Sequence, residues 1–380
     1  IVHAGYDPKP GTRKARFNVE GAKLYPQWAS ELGFPYINNG SMVLAFTEEE
    51  LEAIRGLRER GEHNGVEGLR VIDARELREL EPNVSPEALG ALLVPTGAIC
   101  DPYQVAFRAA ENAARNGVEF NFSSKVVGIE PAQAPTADSA QAVAAGSARS
   151  AAVEPARGAG YILHIEGAQG DVAEAVHARV VVNAAGVHAD EIHDMVAPHA
   201  FSITPRRGEY NLMDTDMGGL FAHTMFQAPT KAGKGVLVSP TVHGNMLVGP
   251  NAVPQGDKDA TATTAEGLAA ITSAAKKTYP ALNMRARITT FTGVRATGDT
   301  GDFEIGEVSS APGFFDIACF ESPGLTSAPA VAVDMAACIA EKLNAAENHQ
   351  FNPVLSLPAL FKNMNEEERR AAISANPDAG

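Results

Sequence analysis

The chain has 380 residues, 45% of them hydrophobic and 20% charged, which excludes a disordered or fibrous protein and leaves room for two domains of roughly 100 to 200 residues each. Lys+Arg 31 against Asp+Glu 46 gives a net charge of −15, which disfavours any partner held through a phosphate backbone, so nucleic acid is not an expected ligand. The three cysteines, Cys100, Cys319 and Cys338, form no CxxC pair and have no His-rich neighbour at metal spacing, against a disulfide or zinc scaffold.

No stretch approaches the roughly 20 consecutive apolar residues of a membrane helix, and nothing at the start reads as a signal peptide, so the expected location is cytoplasmic. The opening IVHAGYD is strand-like and Ile1 is not a methionine. An internal piece of a longer chain is therefore expected.

Thr12 to Gly33 places Phe17, Leu24, Trp28 and Leu32 at helical spacing and predicts a helix ending at Gly33. YINNGSMVLAF alternates into a strand, and a helix follows with Thr47 as N-cap and acidic residues in its first turn. RVIDARELRELEP gives a short strand and a helical turn capped by Asp73 and stopped by Pro82. GALLVPTGAICDP reads as strand and turn, and Pro102 to Gly117 as a helix with proline in its first turn and glycine past its end.

Pro131 to Gly160 is rich in Ala, Ser, Gly and Pro without periodicity. It reads as a low-complexity insertion in a hairpin loop, because its flanks VEFNFSSKVVGIE and YILHIEG are both strand-like. ARVVVNAAGVHADEIHDMVA reads as a buried parallel strand entering an amphipathic helix. Between Thr204 and Thr290, the segments RGEYNLMD, GVLVSPT and GNMLVGPN are strand candidates, and TAEGLAAITSAAKKTYP is a covering helix. GFFDIACFESPGLTSAPAVAVDMAACIAEKL closes with a buried strand, a Pro-Gly turn and an Ala-rich helix. The expected fold is mixed α/β, with parallel-strand elements and an antiparallel-sheet section forming two interleaved domains.

No GxGxxG follows a strand and no GxxxxGK[ST] occurs. Ala184, Ala185 and Gly186 follow a strand where a backbone can approach a flat or phosphorylated ligand, or where a tight strand-to-helix turn is all that is needed. At CFESPGLTSAPAVA, residues Leu325 and Thr326 expose free N–H groups at a helix start. That is either an ordinary capped helix or a terminus that stabilises the negative charge of a reduced flavin. Arg295, just after Gly293 in a polar loop, is a surface arginine or a fork for a carboxylate or phosphate. Arg206, Arg207 and Tyr210 lie in TPRRGEY, and His3 is a structural histidine or a base for an alcohol proton.

NAAGVHAD, GEYNLMD, VGPNAV, FTGVRAT, DFEIGE and ESPGLTSAPAVA, in this order, resemble the FAD-dependent D-amino-acid-oxidase-like superfamily. HAGYDPKPGTRKARFNVEG with NNGSMVLAF narrows the resemblance to the branch of glycerol-3-phosphate and L-2-hydroxyglutarate dehydrogenases. The resemblance implies a Rossmann-like FAD/NAD(P)-binding domain (1–20, 98–200 and 291–345) interleaved with a substrate domain (21–97 and 201–290), then a linker over 346–380. In such proteins an upstream glycine-rich unit precedes the present start, and FKNMNEEERRAAISANPDAG resembles a linker to a cysteine-rich iron–sulfur module.

Residue by residue, the resemblance places Val126 on the adenine-contacting strand and Ala184, Ala185 and Gly186 in the second nucleotide-side motif. It places Gly324, Leu325 and Thr326 beside the flavin pyrimidine, with Gly293 in the same cofactor-side set. His3 reaches flavin and substrate, Arg295 is the anion anchor, and Tyr210 is a further candidate on the substrate strand. The implied activity is oxidation of an anionic secondary alcohol, sn-glycerol 3-phosphate before L-2-hydroxyglutarate, with electrons passing to a quinone, a redox partner protein or oxygen. Peripheral membrane association through partner subunits is compatible with that activity, and a non-catalytic flavoprotein scaffold is the competing class.

Overall fold

The structure, a computed structural model, describes residues 1–132, 160–167, 172–229, 235–355 and 364–375. Most of the low-complexity insertion lies outside the described residues. The helix α1 (Arg13–Leu32) starts where Thr12 Oγ1 accepts from Ala15 N–H and ends at Gly33 in the left-handed conformation. The Asp302 carboxylate accepts from the N–H groups of Arg13 and Lys14 at 2.8 and 2.9 Å, adding negative charge at the same helix start. Short strands β1 (Tyr36–Ile37) and β2 (Ser41–Ala45) precede α2 (Glu48–His63), which is capped by Thr47 as expected.

Then come β3 (Arg70–Asp73), α3 (Ala74–Leu80), β4 (Gly90–Val94), β5 (Ile99–Cys100) and α4 (Pro102–Arg115), with Asp73 and Asp101 as the two caps. β6 (Lys125–Pro131), β7 (Tyr161–Glu166) and β8 (Val172–Ala178) form an antiparallel meander. Of the strand-like stretch VEFNFSSKVVGIE, the part from Lys125 onward forms β6, while Val118–Phe122 forms no strand. Val118, Phe120 and Phe122 are exposed, and no neighbouring strand among the described residues supplies a hydrogen-bonded edge.

β9 (Val181–Asn183) is followed by a single 3₁₀ turn and by α5 (Ala189–His193), shorter than the amphipathic helix the sequence suggests. The remaining elements are β10 (Ile203–Met213), β11 (Thr224–Gln227), β12 (Leu237–Pro240), β13 (Met246–Gly249), β14 (Val253–Pro254) and α6 (Ala265–Thr278). After them come β15 (Arg287–Gly298), β16 (Glu304–Glu307), β17 (Phe314–Ala318), α7 (Gly324–Leu343) and α8 (Glu366–Ala375).

The fold is mixed α/β. Among the described residues the large sheet runs β14-β10-β13-β12-β11-β2-β4-β3, with β15 on the other edge of β10. It is antiparallel except where β11 runs parallel to β2, a long-range pairing that joins the first hundred residues to the middle of the chain. α6 covers one face, where Met42, Leu44, Met213, Met225, Val238 and Ile271 form a core. The alternate residues Val43, Ala45, Leu92 and Phe226 pack on the other face with Ala4, Tyr6 and Leu57. In the smaller sheet β17 lies between β16 and β9, parallel to β9, so their carboxyl ends open on the same side. Two of the sequence-derived boundaries fall inside elements, since α1 spans residue 20 and β15 spans residue 290.

The pairing of α1 with α7 fixes the start of α7. Tyr25, fully buried and absent from the face read from the sequence, donates its hydroxyl proton to Leu325 O at 2.6 Å. Gly21 lets the helices touch: a Cβ there would stand 2.0 Å from Thr326 O. Gly21→Ala is therefore expected to destabilise the protein by about 1–3 kcal/mol through overpacking and to weaken FAD retention. Thermal melts with and without added FAD check this, and unchanged melting would contradict it.

Candidate active site

His3 sits where the first segment crosses the start of α7. Its N–H donates to Thr326 Oγ1 at 2.9 Å and its carbonyl accepts from Asn18 Nδ2 at 2.6 Å, so both backbone groups are fixed from helices remote in sequence. Ser322 Oγ lies 3.4 Å from His3 Nε2, and the Phe226 ring is centred 5.8 Å from the imidazole. The ring borders an open cleft lined also by Tyr6, Asp7, Gln227 and Gly235.

Thr326 is fully buried with its hydroxyl turned to His3, so its side chain positions the histidine. Pro323 gives α7 no side-chain cap; Gly324 N–H already donates to Glu321 O at 2.6 Å, so the N–H groups left over in the first turn begin at Leu325. Leu325 is 37% exposed there.

Arg295, expected in a polar loop, lies instead within strand β15, paired along the β10 ladder, and its guanidinium neighbours Tyr210. In the β10–β15 ladder Arg206 faces Arg295, Gly208 faces Gly293 and Tyr210 faces Phe291. By strand alternation these side chains leave the face opposite α6, the same face that carries Phe226. Tyr210 stacks on Phe291 at 5.0 Å. Burial raises its phenol above the ordinary value, and the neighbouring Arg295 guanidinium, a hydrogen-bond donor to it, opposes that rise. The Arg295 guanidinium leans over Gly208, where a Cβ would stand 2.5 Å from Nη2. It also donates from Nη1 and Nη2 to Asn251 O, each at 3.2 Å.

Further along the same face Thr297 Oγ1 donates to Glu321 Oε2 at 2.8 Å, and Lys14 pairs with the other oxygen of Glu321 at 2.8 Å. Glu321 precedes Ser322, which neighbours His3, so side-chain and backbone links run from the Arg295 strand to the histidine.

Glu209 was not singled out by the sequence. It projects to the α6 face of β10, is fully buried, and its carboxylate accepts from Asn251 Nδ2, from Thr264 N–H and from Thr264 Oγ1. Burial alone would raise this carboxyl, but the hydrogen bonds from Asn251 and Thr264 outweigh it and hold it below the ordinary range. The Asn251 whose side chain Glu209 grips is the residue whose carbonyl holds Arg295. Glu209→Gln is thus expected to raise the substrate KM several-fold with unchanged FAD content. The carboxyl is lower in the folded state than its unfolded value of 4.5. Its stabilisation is therefore present above that pH and is lost as pH falls through the folded value. The glutamine variant should lose less stability than the parent over that acid window, which unfolding measured against pH will show; parallel profiles would contradict it.

The remaining sequence candidates lie on other elements. Ala184, Ala185 and Gly186 are exposed at the carboxyl end of β9, with Gly186 at φ +60° and nothing within 4 Å of a Cβ built on it. Asn183 holds this turn through Asp316 Oδ1 and Ala189 O, each at 2.8 Å. Val126 belongs to the meander, at the β6 bulge, and packs against the Tyr161–Phe314 cluster. Among the described residues no His/Cys/Asp/Glu group is arranged to hold a metal ion.

A profile described as FAD dependent oxidoreductase (DAO) matches residues 1–338. The chain belongs to the FAD-dependent oxidoreductase family. It is 37% identical to the glycerol 3-phosphate dehydrogenase of Caloramator mitchellensis over 383 residues, covering 100% of this chain and 73% of the relative. The dithionite-reduced, FAD-bound L-α-glycerophosphate oxidase of Mycoplasma pneumoniae superposes with a TM-score of 0.79 at 29% identity, over 94% of this chain and 87% of that one. Mitochondrial L-2-hydroxyglutarate dehydrogenase of Mus musculus is 29% identical over 256 residues, 67% of this chain and 51% of the relative.

The protein is therefore an FAD-dependent oxidoreductase, and its own residues suit that cofactor. An uncapped helix start offers N–H donors of the kind a flavin's N1–C2 edge needs, and a side-chain-free, exposed Gly186 turn ends the parallel strand β9. No helix among the described residues is long and apolar enough to cross a membrane.

Proposed function

We propose that this flavoenzyme oxidises the secondary alcohol of sn-glycerol 3-phosphate to dihydroxyacetone phosphate. The observation that carries the reading is one sheet face bearing Arg295 with Tyr210, connected through Thr297, Glu321 and Ser322 to a histidine at an uncapped helix start. Similarity to proteins named for glycerol 3-phosphate oxidation supports the same substrate.

Arg295 and Tyr210 hold the anionic group, and Gly293, expected on the cofactor side, stands in the same ladder as Arg295 and leaves room for that group. His3 accepts the hydroxyl proton, its imidazole steadied by Ser322 and Phe226. Bound FAD supplies the acceptor for hydride from the carbinol carbon. The positive end of α7, at Gly324, Leu325 and Thr326, would stabilise the negative charge that the cofactor gains on reduction. Ala184, Ala185, Gly186 and Val126 line the dinucleotide side.

The segments 1–20, 98–200 and 291–345 form the cofactor domain and 21–97 and 201–290 the substrate domain, with β15 carrying Arg295 from the former into the substrate site, and 346–380 form a linker. The enzyme works in the cytoplasm and passes electrons to a quinone or a redox partner protein, with peripheral membrane attachment through partner subunits.

L-2-hydroxyglutarate is the second reading, favoured by the fit of one guanidinium fork to a carboxylate and by the Mus musculus relative. Steady-state rates with an artificial electron acceptor separate the two. The expected result is a kcat/KM for glycerol 3-phosphate at least about a hundredfold that for L-2-hydroxyglutarate, and the reverse order would replace the first reading by the second.

A further inference from the structure

We propose that Arg206 is a second arm of the anion site and makes it select a phosphate monoester dianion over a carboxylate, an inference that rests on the reading of Arg295 as the substrate's anion anchor. Arg206 and Arg295 are direct cross-strand partners, so two guanidinium groups leave the same face of adjacent strands. Like charges placed directly opposite repel, and among the described residues neither has a carboxylate partner. Arg206 Nε is moreover buried with no hydrogen-bond partner, a costly state for an obligatory donor.

The next pair along the ladder on this face is Gly208 with Gly293. A Cβ built on Gly293 meets nothing within 4 Å, so there is open space beside the guanidinium pair. A single carboxylate is matched by one bidentate arginine and would leave the second charge uncompensated. A phosphate monoester carries close to two negative charges and three terminal oxygens, enough to accept from both forks. An anion of that class, held by the terminal nitrogens of both forks, removes the repulsion between them.

The test uses the FAD-loaded enzyme and its Arg206→Gln and Arg206→Lys variants. Inorganic phosphate is titrated against the visible flavin spectrum, alongside the KM for glycerol 3-phosphate. The expected result is phosphate binding weakened about tenfold or more in Arg206→Gln, a KM raised by a similar factor, partial recovery in Arg206→Lys, and unchanged FAD content. Phosphate affinity and KM within twofold of the parent in Arg206→Gln would overturn the proposal. If the parent enzyme binds phosphate through Arg206 yet does not oxidise glycerol 3-phosphate, the anion site stands and the substrate reading falls. If Arg295→Gln weakens phosphate binding and Arg206→Gln does not, the substrate reading stands and the second arm falls.

Discussion

Replacing His3 by glutamine is expected to lower kcat by about two to four orders of magnitude with FAD content unchanged, the range that a positioned general base contributes. The separation of the two effects follows from how His3 is held. Its backbone N–H is bound by Thr326 and its carbonyl by Asn18, so neither anchor involves the imidazole. The substitution removes a proton acceptor and leaves the crossing of the first segment over α7 in place. Single-turnover reduction of the bound flavin by substrate measures the chemical step directly. A decrease of less than tenfold, or loss of FAD from the variant, would show that the histidine is structural.

Replacing Arg295 by glutamine is expected to raise KM for glycerol 3-phosphate by about a hundredfold or more. A charge-assisted bidentate contact is about twice as strong as a neutral one and has no substitute on Tyr210. FAD content should not change, because Arg295 lies on β15 in the large sheet and its fixed contacts are to Asn251 O and Tyr210. Leaving those acceptors unpaired costs about 1–3 kcal/mol of stability, small beside the loss of substrate affinity. Arg295→Lys keeps the charge without the fork and should recover part of the affinity. An unchanged KM with lost flavin would move Arg295 from the substrate to the cofactor.

The local elements were largely legible because their signals are local. Thr47 and Asp73 cap the helices for which the sequence named them, and Thr12, Asp101 and Thr264, side chains of the same short reach, cap helices that were expected without a named cap. The site was legible only in its principal residues. Nothing near His3 in sequence tells that Thr326 holds its backbone from 323 positions away, or that the threonine hydroxyl is thereby taken from the cofactor side. Glu209 and Asn251 lay inside quoted motifs, GEYNLMD and VGPNAV, yet a buried carboxylate gripping an asparagine across 42 positions becomes visible only once β10 and the segment after β13 are adjacent.

β11 itself, four residues long, was not read as a strand, so its parallel joint to β2 was missed with it. Alternation moreover gives the faces of a strand and says nothing of its neighbour. Val118–Phe122 shows the converse, an alternating segment that stays outside any ladder because no edge among the described residues meets it.

The most direct test of glycerol 3-phosphate oxidation at the His3–Arg295 site is anaerobic titration of the FAD-loaded protein with sn-glycerol 3-phosphate, followed through the visible flavin absorbance. The expected result is full bleaching by one equivalent of substrate per flavin in the parent protein, slowed by about a hundredfold or more in His3→Gln. A flavin band that persists with glycerol 3-phosphate, or bleaches equally fast without His3, would contradict it.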